Sequence, residues 1–73
     1  MLMYYVYVLK INNELYIGYT EDLQRRVKQH RARGKVELIY YEAYLLKKSA
    51  TTREKKLKNY GSAWRALKKR ITA

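Results

Sequence analysis

The chain predicts an α+β fold: a three-stranded antiparallel sheet flanked by helices, in the order ββαβαα, spanning residues 1–73 as one domain. Three observations carry this. Two runs rich in β-branched and aromatic residues are separated only by Asn12-Asn13. An amphipathic stretch follows, with Leu23, Arg26, Val27 and His30 at the i, i+3, i+4, i+7 spacing of one helical face. The rest divides into one alternating strand and two helical patterns parted by Gly61-Ser62.

The first two strands read as a hairpin from Met1 to Thr20, with Tyr4 to Ile11 pairing with Leu15 to Thr20. A two-residue turn wants positive φ at both central positions, which asparagine tolerates. With Asn12-Asn13 as the turn, Ile11 faces Glu14, Leu9 faces Tyr16 and Tyr7 faces Gly18. Tyr7, Leu9, Tyr16 and Gly18 then share one face of the sheet, and Val6, Val8, Leu15 and Ile17 the other. Tyr7 and Tyr16 become diagonal neighbours, and a one-residue slip would undo the arrangement.

Thr20 is placed to cap the first helix, with Glu21 and Asp22 putting negative charge in its first turn. Leu23 and Val27 anchor the helix, so Arg26 and His30 lean toward the sheet, while Arg25 lies ~100° away and faces solvent. Gly34 suits the C′ position. Val36 to Tyr44 forms the third strand, Leu38, Tyr40 and Glu42 alternating with Ile39, Tyr41 and Ala43. Ser49 is expected to cap a second helix from Ala50 to about Asn59, and Trp64, Leu67 and Ile71 give the last helix its apolar stripe.

Composition narrows the function. Seventeen basic residues against six acidic give a net charge of +11, which favours a polyanionic partner. DNA is the expected partner, with RNA a second candidate; neutralising several phosphates would make binding steeply salt-dependent. No apolar run approaches ~18 residues and no basic segment precedes the first strand, so no membrane association is expected. The absence of cysteine fits a reducing compartment. A cytoplasmic, nucleoid-associated location is the expectation.

Counting removes most catalytic repertoires. One histidine and no cysteine leave no zinc site of the usual kind. The three glycines, at 18, 34 and 61, are isolated, so there is no glycine-rich phosphate loop. Scattered carboxylates argue against a two-metal nuclease site. What remains is tyrosine, arginine, histidine and a single carboxylate, a sufficient set for phosphodiester hydrolysis. Arginine holds the phosphate, glutamate holds one divalent ion, and tyrosine or histidine handles a proton. Taken singly, each has an ordinary structural role: sheet tyrosines pack, and Glu54 can pair with Lys58 one helical turn away. Their joint placement raises the functional reading.

Tyr5-Val6-Tyr7, then Tyr16-Ile17-Gly18, then Thr20, Asp22-Leu23, Arg26 and His30 together resemble the signature of the GIY-YIG nuclease superfamily. The segments Leu38-Ile39-Tyr40-Tyr41-Glu42-Ala43 and Arg53-Glu54-Lys55-Lys56-Leu57-Lys58 resemble its small stand-alone bacterial branch, related to the N-terminal nuclease domain of the bacterial excinuclease. The resemblance implies that Tyr7 is the general base, that Tyr16 helps place water or phosphate, and that Arg26 stabilises the transition state. It further implies that His30 assists and that Glu54 binds a single divalent metal, Mg²⁺ or Mn²⁺. Tyr5 stands where the family has glycine, and Asn59-Tyr60-Gly61-Ser62 lacks the Gly-Lys-Gly-Arg-like pattern of this branch.

The expected activity is therefore metal-dependent endonucleolytic cleavage of DNA, with Arg25, Lys28, Arg31, Lys68 and Lys69 holding the backbone. The alternative is a nucleic-acid-binding module that keeps the fold without turnover, and a third reading is a basic partner of an acidic protein or ribosomal RNA. The Val36 to Tyr44 strand, if it lies at a sheet edge, could pair with another chain, so a protein partner or oligomer belongs to the expectation.

Overall fold

In a computed structural model, which describes residues 3–72, the six elements follow the expected order. They are β1 (Tyr4–Ile11), β2 (Glu14–Thr20), α1 (Leu23–Arg31), β3 (Val36–Tyr44), α2 (Lys47–Lys58) and α3 (Ser62–Thr72). The start of the hairpin at Met1 lies outside the described residues.

Asn12 and Asn13 both take positive φ, 51° and 68°, as a type I′ turn demands. That turn sets the hairpin register: Ile11 pairs with Glu14, Leu9 with Tyr16 and Tyr7 with Gly18. The strand order is β2-β1-β3, all neighbours antiparallel, so β1 is central and both of its partners are edges. Val6, Tyr7, Val8 and Leu9 are consecutively buried because both faces of β1 are covered.

The two faces support separate cores. Val6, Val8 and Ile17 pack with Ala50, Leu57, Trp64 and Leu67 from α2 and α3. On the opposite face Tyr7 and Leu9 pack with Val27 of α1 and Val36 of β3. Burying an aliphatic side chain contributes about 1.5–3 kcal/mol, so each core needs most of its few members.

Three local expectations are corrected. Asp22, not Thr20, is the N-cap of α1: its carboxylate accepts the Arg25 N–H at 3.1 Å. Thr20 is still paired with Tyr5 in the sheet, and its hydroxyl accepts the Asp22 N–H instead. Gly34 lies beyond C′, since Ala32 is the C-cap; it still needs its lack of a side chain, with φ 145°. The second helix starts at Lys47 after Leu46, which makes no side-chain cap, so Ser49 falls inside the first turn. Tertiary packing of the fully buried Ala50 and Leu57 outweighs the missing cap.

The alternation expected of β3 is also broken. Val8 pairs with Tyr40 but Leu9 with Leu38, leaving Ile39 as an extra residue in a bulge. Leu38 therefore packs into the α1-side core, whereas Ile39 and Tyr40 pack against the α2/α3 side.

Candidate active site

Tyr7 is set by the hairpin register on the α1 side of the sheet, opposite Gly18. The tyrosine ring lies across that glycine. A Cβ on Gly18 would sit 2.3 Å from both Cζ and the hydroxyl oxygen of Tyr7. The missing side chain is what makes room for the ring.

Helix α1 brings His30 to the same place. Its Nε2 lies 3.4 Å from the Tyr7 hydroxyl, and its ring centroid lies 6.2 Å from that of Tyr7 and 5.4 Å from that of Tyr16. The diagonal pair of tyrosines thus meets one imidazole. Their exposures differ: Tyr7 is 2% exposed and Tyr16 46%. Tyr7 is thus enclosed within the fold, while Tyr16 is open to solvent.

The electrostatics converge on Tyr7. Burial pushes its phenol up to about 12; the Arg26 charge opposes this, while Tyr16 and Glu54 add to it. His30 moves the other way. Burial, then the positive charges of Arg26 and Arg33, hold its imidazole below the ordinary 6.5, so it is neutral at pH 7. A neutral imidazole beside a protonated phenol can accept a proton from it.

Arg26 acts on both groups although its own side chain is exposed. With Arg25, Tyr19, Glu21 and Gln29 it lines a cavity of ≈ 360 Å³ at the β2–α1 junction. Glu54 comes from α2, on the other side of the sheet, and pairs with Lys58 at 3.1 Å. Its charge reaches both Tyr7 and Tyr19. Tyr7, Tyr16 and His30 are thus brought together in space, whereas Arg26 and Glu54 reach the Tyr7 phenol through their charge alone.

Among the described residues, no group of three histidine, cysteine or carboxylate side chains converges on one point. Glu54 is the one carboxylate whose charge reaches Tyr7. A second observation lies beside it. The Tyr19 hydroxyl is buried and is the one such side-chain atom, among the described residues, that lacks a hydrogen-bond partner. Its pKa is raised by burial first, then by Glu21, Tyr4 and Glu54. A partly buried carboxylate and an unpartnered hydroxyl within reach of its charge suit a hard cation that keeps several of its waters.

The basic residues expected to hold a backbone are exposed but not contiguous. Arg25, Lys28 and Arg31 lie on α1, while Lys68 and Lys69 lie on α3 across the sheet.

Sequence reasoning missed a polar cluster on the α2 side. Glu42 accepts hydrogen bonds from Tyr40 (2.5 Å) and Tyr44, and from Arg53 through Nε (3.0 Å) and Nη2 (3.0 Å). The signal was present as Tyr40-x-Glu42-x-Tyr44, three polar tips two residues apart and so on one face of a strand. This clamp ties β3 to Arg53, the neighbour of Glu54 on α2.

Residues 3–70 match the GIY-YIG catalytic domain. The chain belongs to the GIY-YIG family. It is similar to several UPF0213 proteins: 42% identical to one from Clostridium perfringens, over 71% of this chain and 67% of that protein. A UPF0213 protein of Natronomonas pharaonis is 39% identical over 96% of this chain and 91% of its own length. The solution NMR structure of a UPF0213 protein from Bacillus halodurans shares the fold, with a TM-score of 0.62 and 28% identity. That alignment covers 89% of this chain and 80% of the other. The GIY-YIG domain implies a nucleic-acid substrate, and among the described residues no helix is long and apolar enough to cross a membrane.

Proposed function

We propose that this GIY-YIG domain is a metal-dependent endonuclease that hydrolyses phosphodiester bonds in DNA. The observation that supports this reading is the meeting of His30 with the buried Tyr7 hydroxyl and the Tyr16 ring, within reach of the Arg26 and Glu54 charges.

Because burial keeps Tyr7 protonated at neutral pH, the reaction does not begin from a phenolate. Tyr7 passes its hydroxyl proton to Nε2 of the neutral His30 as it takes one from the attacking water. The water oxygen bonds to phosphorus, the bond to the leaving sugar oxygen breaks, and that oxygen takes a proton from solvent. Arg26 holds the non-bridging oxygens and offsets the charge that grows on them. Tyr16 orients the phosphate from the open side. A bound Mg²⁺ or Mn²⁺, held by Glu54, would supply further neutralisation of phosphate charge. RNA competes for the same basic surface, and the cytoplasm is the compartment in which such a substrate is met.

The test is nicking of supercoiled plasmid with Mg²⁺ or Mn²⁺, beside Glu54→Ala and an EDTA control. Nicking lost in both controls supports the reading. Tight DNA binding without nicking supports the alternative, a nucleic-acid-binding module. That alternative has one observation in its favour: Lys58 already occupies the Glu54 carboxylate.

A further inference from the structure

A second concave surface lies away from Tyr7, where α3 crosses the turn end of the hairpin. This cavity, ≈ 760 Å³, has an apolar side formed by Tyr60, Trp64 and Ile71. Its polar rim carries Lys10, Lys68, Glu14 and Glu37. The volume lies within the range of small-ligand sites, which combine an apolar wall with a few polar groups.

Tyr60 is the residue that singles the cavity out. It follows Asn59, the C-cap of α2, and takes φ 55°, a left-handed conformation that bulky side chains rarely adopt. Gly61, which would adopt it freely, is the next residue. The ring gains little burial in return, being 60% exposed, and it meets Trp64 edge-on with centroids 6.1 Å apart. An exposed aromatic ring thus stands at a strained position against a tryptophan, in a cavity lined by two lysines.

We infer that this cavity binds an unpaired nucleotide of the DNA substrate, its base stacked on Tyr60 and its phosphate held by Lys10 and Lys68. The inference rests on the nuclease reading and deepens it, because it names a substrate with a single-stranded or flipped-out base near the cleavage point. The rim carboxylates suit this guest: Glu37 and Glu14 accept hydrogen bonds from exocyclic amino groups of a base edge. They also disfavour simple backbone binding, since two carboxylates offset the two lysines. Lys10 is three residues from Tyr7 along β1, about 10 Å at strand rise. The cavity opens on the α2/α3 side of the sheet and Tyr7 faces the α1 side, so a strand anchored in the cavity reaches Tyr7 by passing around the β2 edge.

The test uses Trp64, the only tryptophan in the chain, as its reporter. A short single-stranded DNA and a blunt hairpin duplex without unpaired bases are titrated in EDTA, following Trp64 emission and the anisotropy of a labelled strand. The single strand should quench Trp64 and the duplex should not. Tyr60→Gly removes the ring while relaxing the backbone, so the fold is kept, and it should weaken single-strand binding ~10-fold. Tyr60→Phe should restore it. Single-strand affinity unchanged in Tyr60→Gly, or binding that leaves Trp64 emission unaltered, would overturn the inference while leaving the nuclease reading intact. Failure to bind either DNA would overturn both.

Discussion

The Tyr7 ring occupies the space that a side chain on Gly18 would fill, so the cross-strand pair Tyr7–Gly18 works as a ring and its slot. Gly18→Ala would place a methyl group 2.3 Å from the Tyr7 hydroxyl and must displace a ring that is buried among Leu9, Val27 and Val36. Overpacking of this kind costs about 1–3 kcal/mol. Displacing a reacting group by an ångström costs on the order of 10²-fold in rate. Urea denaturation and initial nicking rates should show both losses, with the rate falling far more than the stability explains.

Tyr7→Phe is the complementary change. It keeps the ring against Gly18 and removes only the hydroxyl. DNA affinity in EDTA should stay within about twofold, well under the ~1.4 kcal/mol that a tenfold change represents, while nicking is lost. Retained nicking would remove Tyr7 from the proton path.

The pH profile should carry the mark of His30. Burial and the Arg26 and Arg33 charges depress its pKa, and its neutral form is the proton acceptor. Activity should therefore rise with pH through an inflection below the ordinary 6.5 and stay level across the neutral range. The Tyr7 phenol, pushed up to about 12, adds no inflection near neutrality. Replacing Arg26 by glutamine should move the acid inflection upward, because one of the depressing charges is gone.

Stability in acid should depend on Glu42. Burial would raise its carboxyl, but hydrogen bonds from Arg53, Tyr40 and Tyr44 outweigh that and leave the folded-state pKa below the ordinary 4.5. A depressed carboxyl stabilises the fold fully above the unfolded value, and the contribution is lost as pH falls through the folded one. Denaturation midpoints should thus hold above pH 4.5 and decline below it. Glu42→Gln should flatten that decline and cost on the order of 2 kcal/mol at pH 7, since Arg53 is only partly exposed.

DNA binding should weaken with salt in proportion to the phosphates contacted. Lys28→Ala should reduce the slope of log affinity against log salt by about 0.9. A slope that does not change would take α1 out of the backbone contact.

The parts legible in the sequence were those governed by period and turn chemistry. Asn12-Asn13 admits one register, and that register alone places Tyr7 on Gly18 and diagonal to Tyr16. The 3.6-residue period put His30 on the face of α1 that meets Tyr7, but it did not separate Arg26 from Arg25 by burial, since both are exposed. What escaped depended on long-range packing. Thr20 could not be known to remain in the sheet and so leave the cap to Asp22. The bulge at Ile39 answers the need to fill two cores from one strand, which no local pattern states. The gap between Arg31 on α1 and Lys68 on α3 follows from layer order, and sequence gives no coordinates for layers.

Strand β1 is the middle of the wall between two small cores, and its residues alternate between them. Tyr7 hangs on one side of that wall, while Glu54 is carried by a helix resting on the other. The protein consequently has no inert half. A change that slackens Trp64 or Leu67, remote from any reacting group, should shift the wall itself, so cleavage would report damage to the far core before melting does. In a chain this short, structural upkeep and chemistry share a single partition.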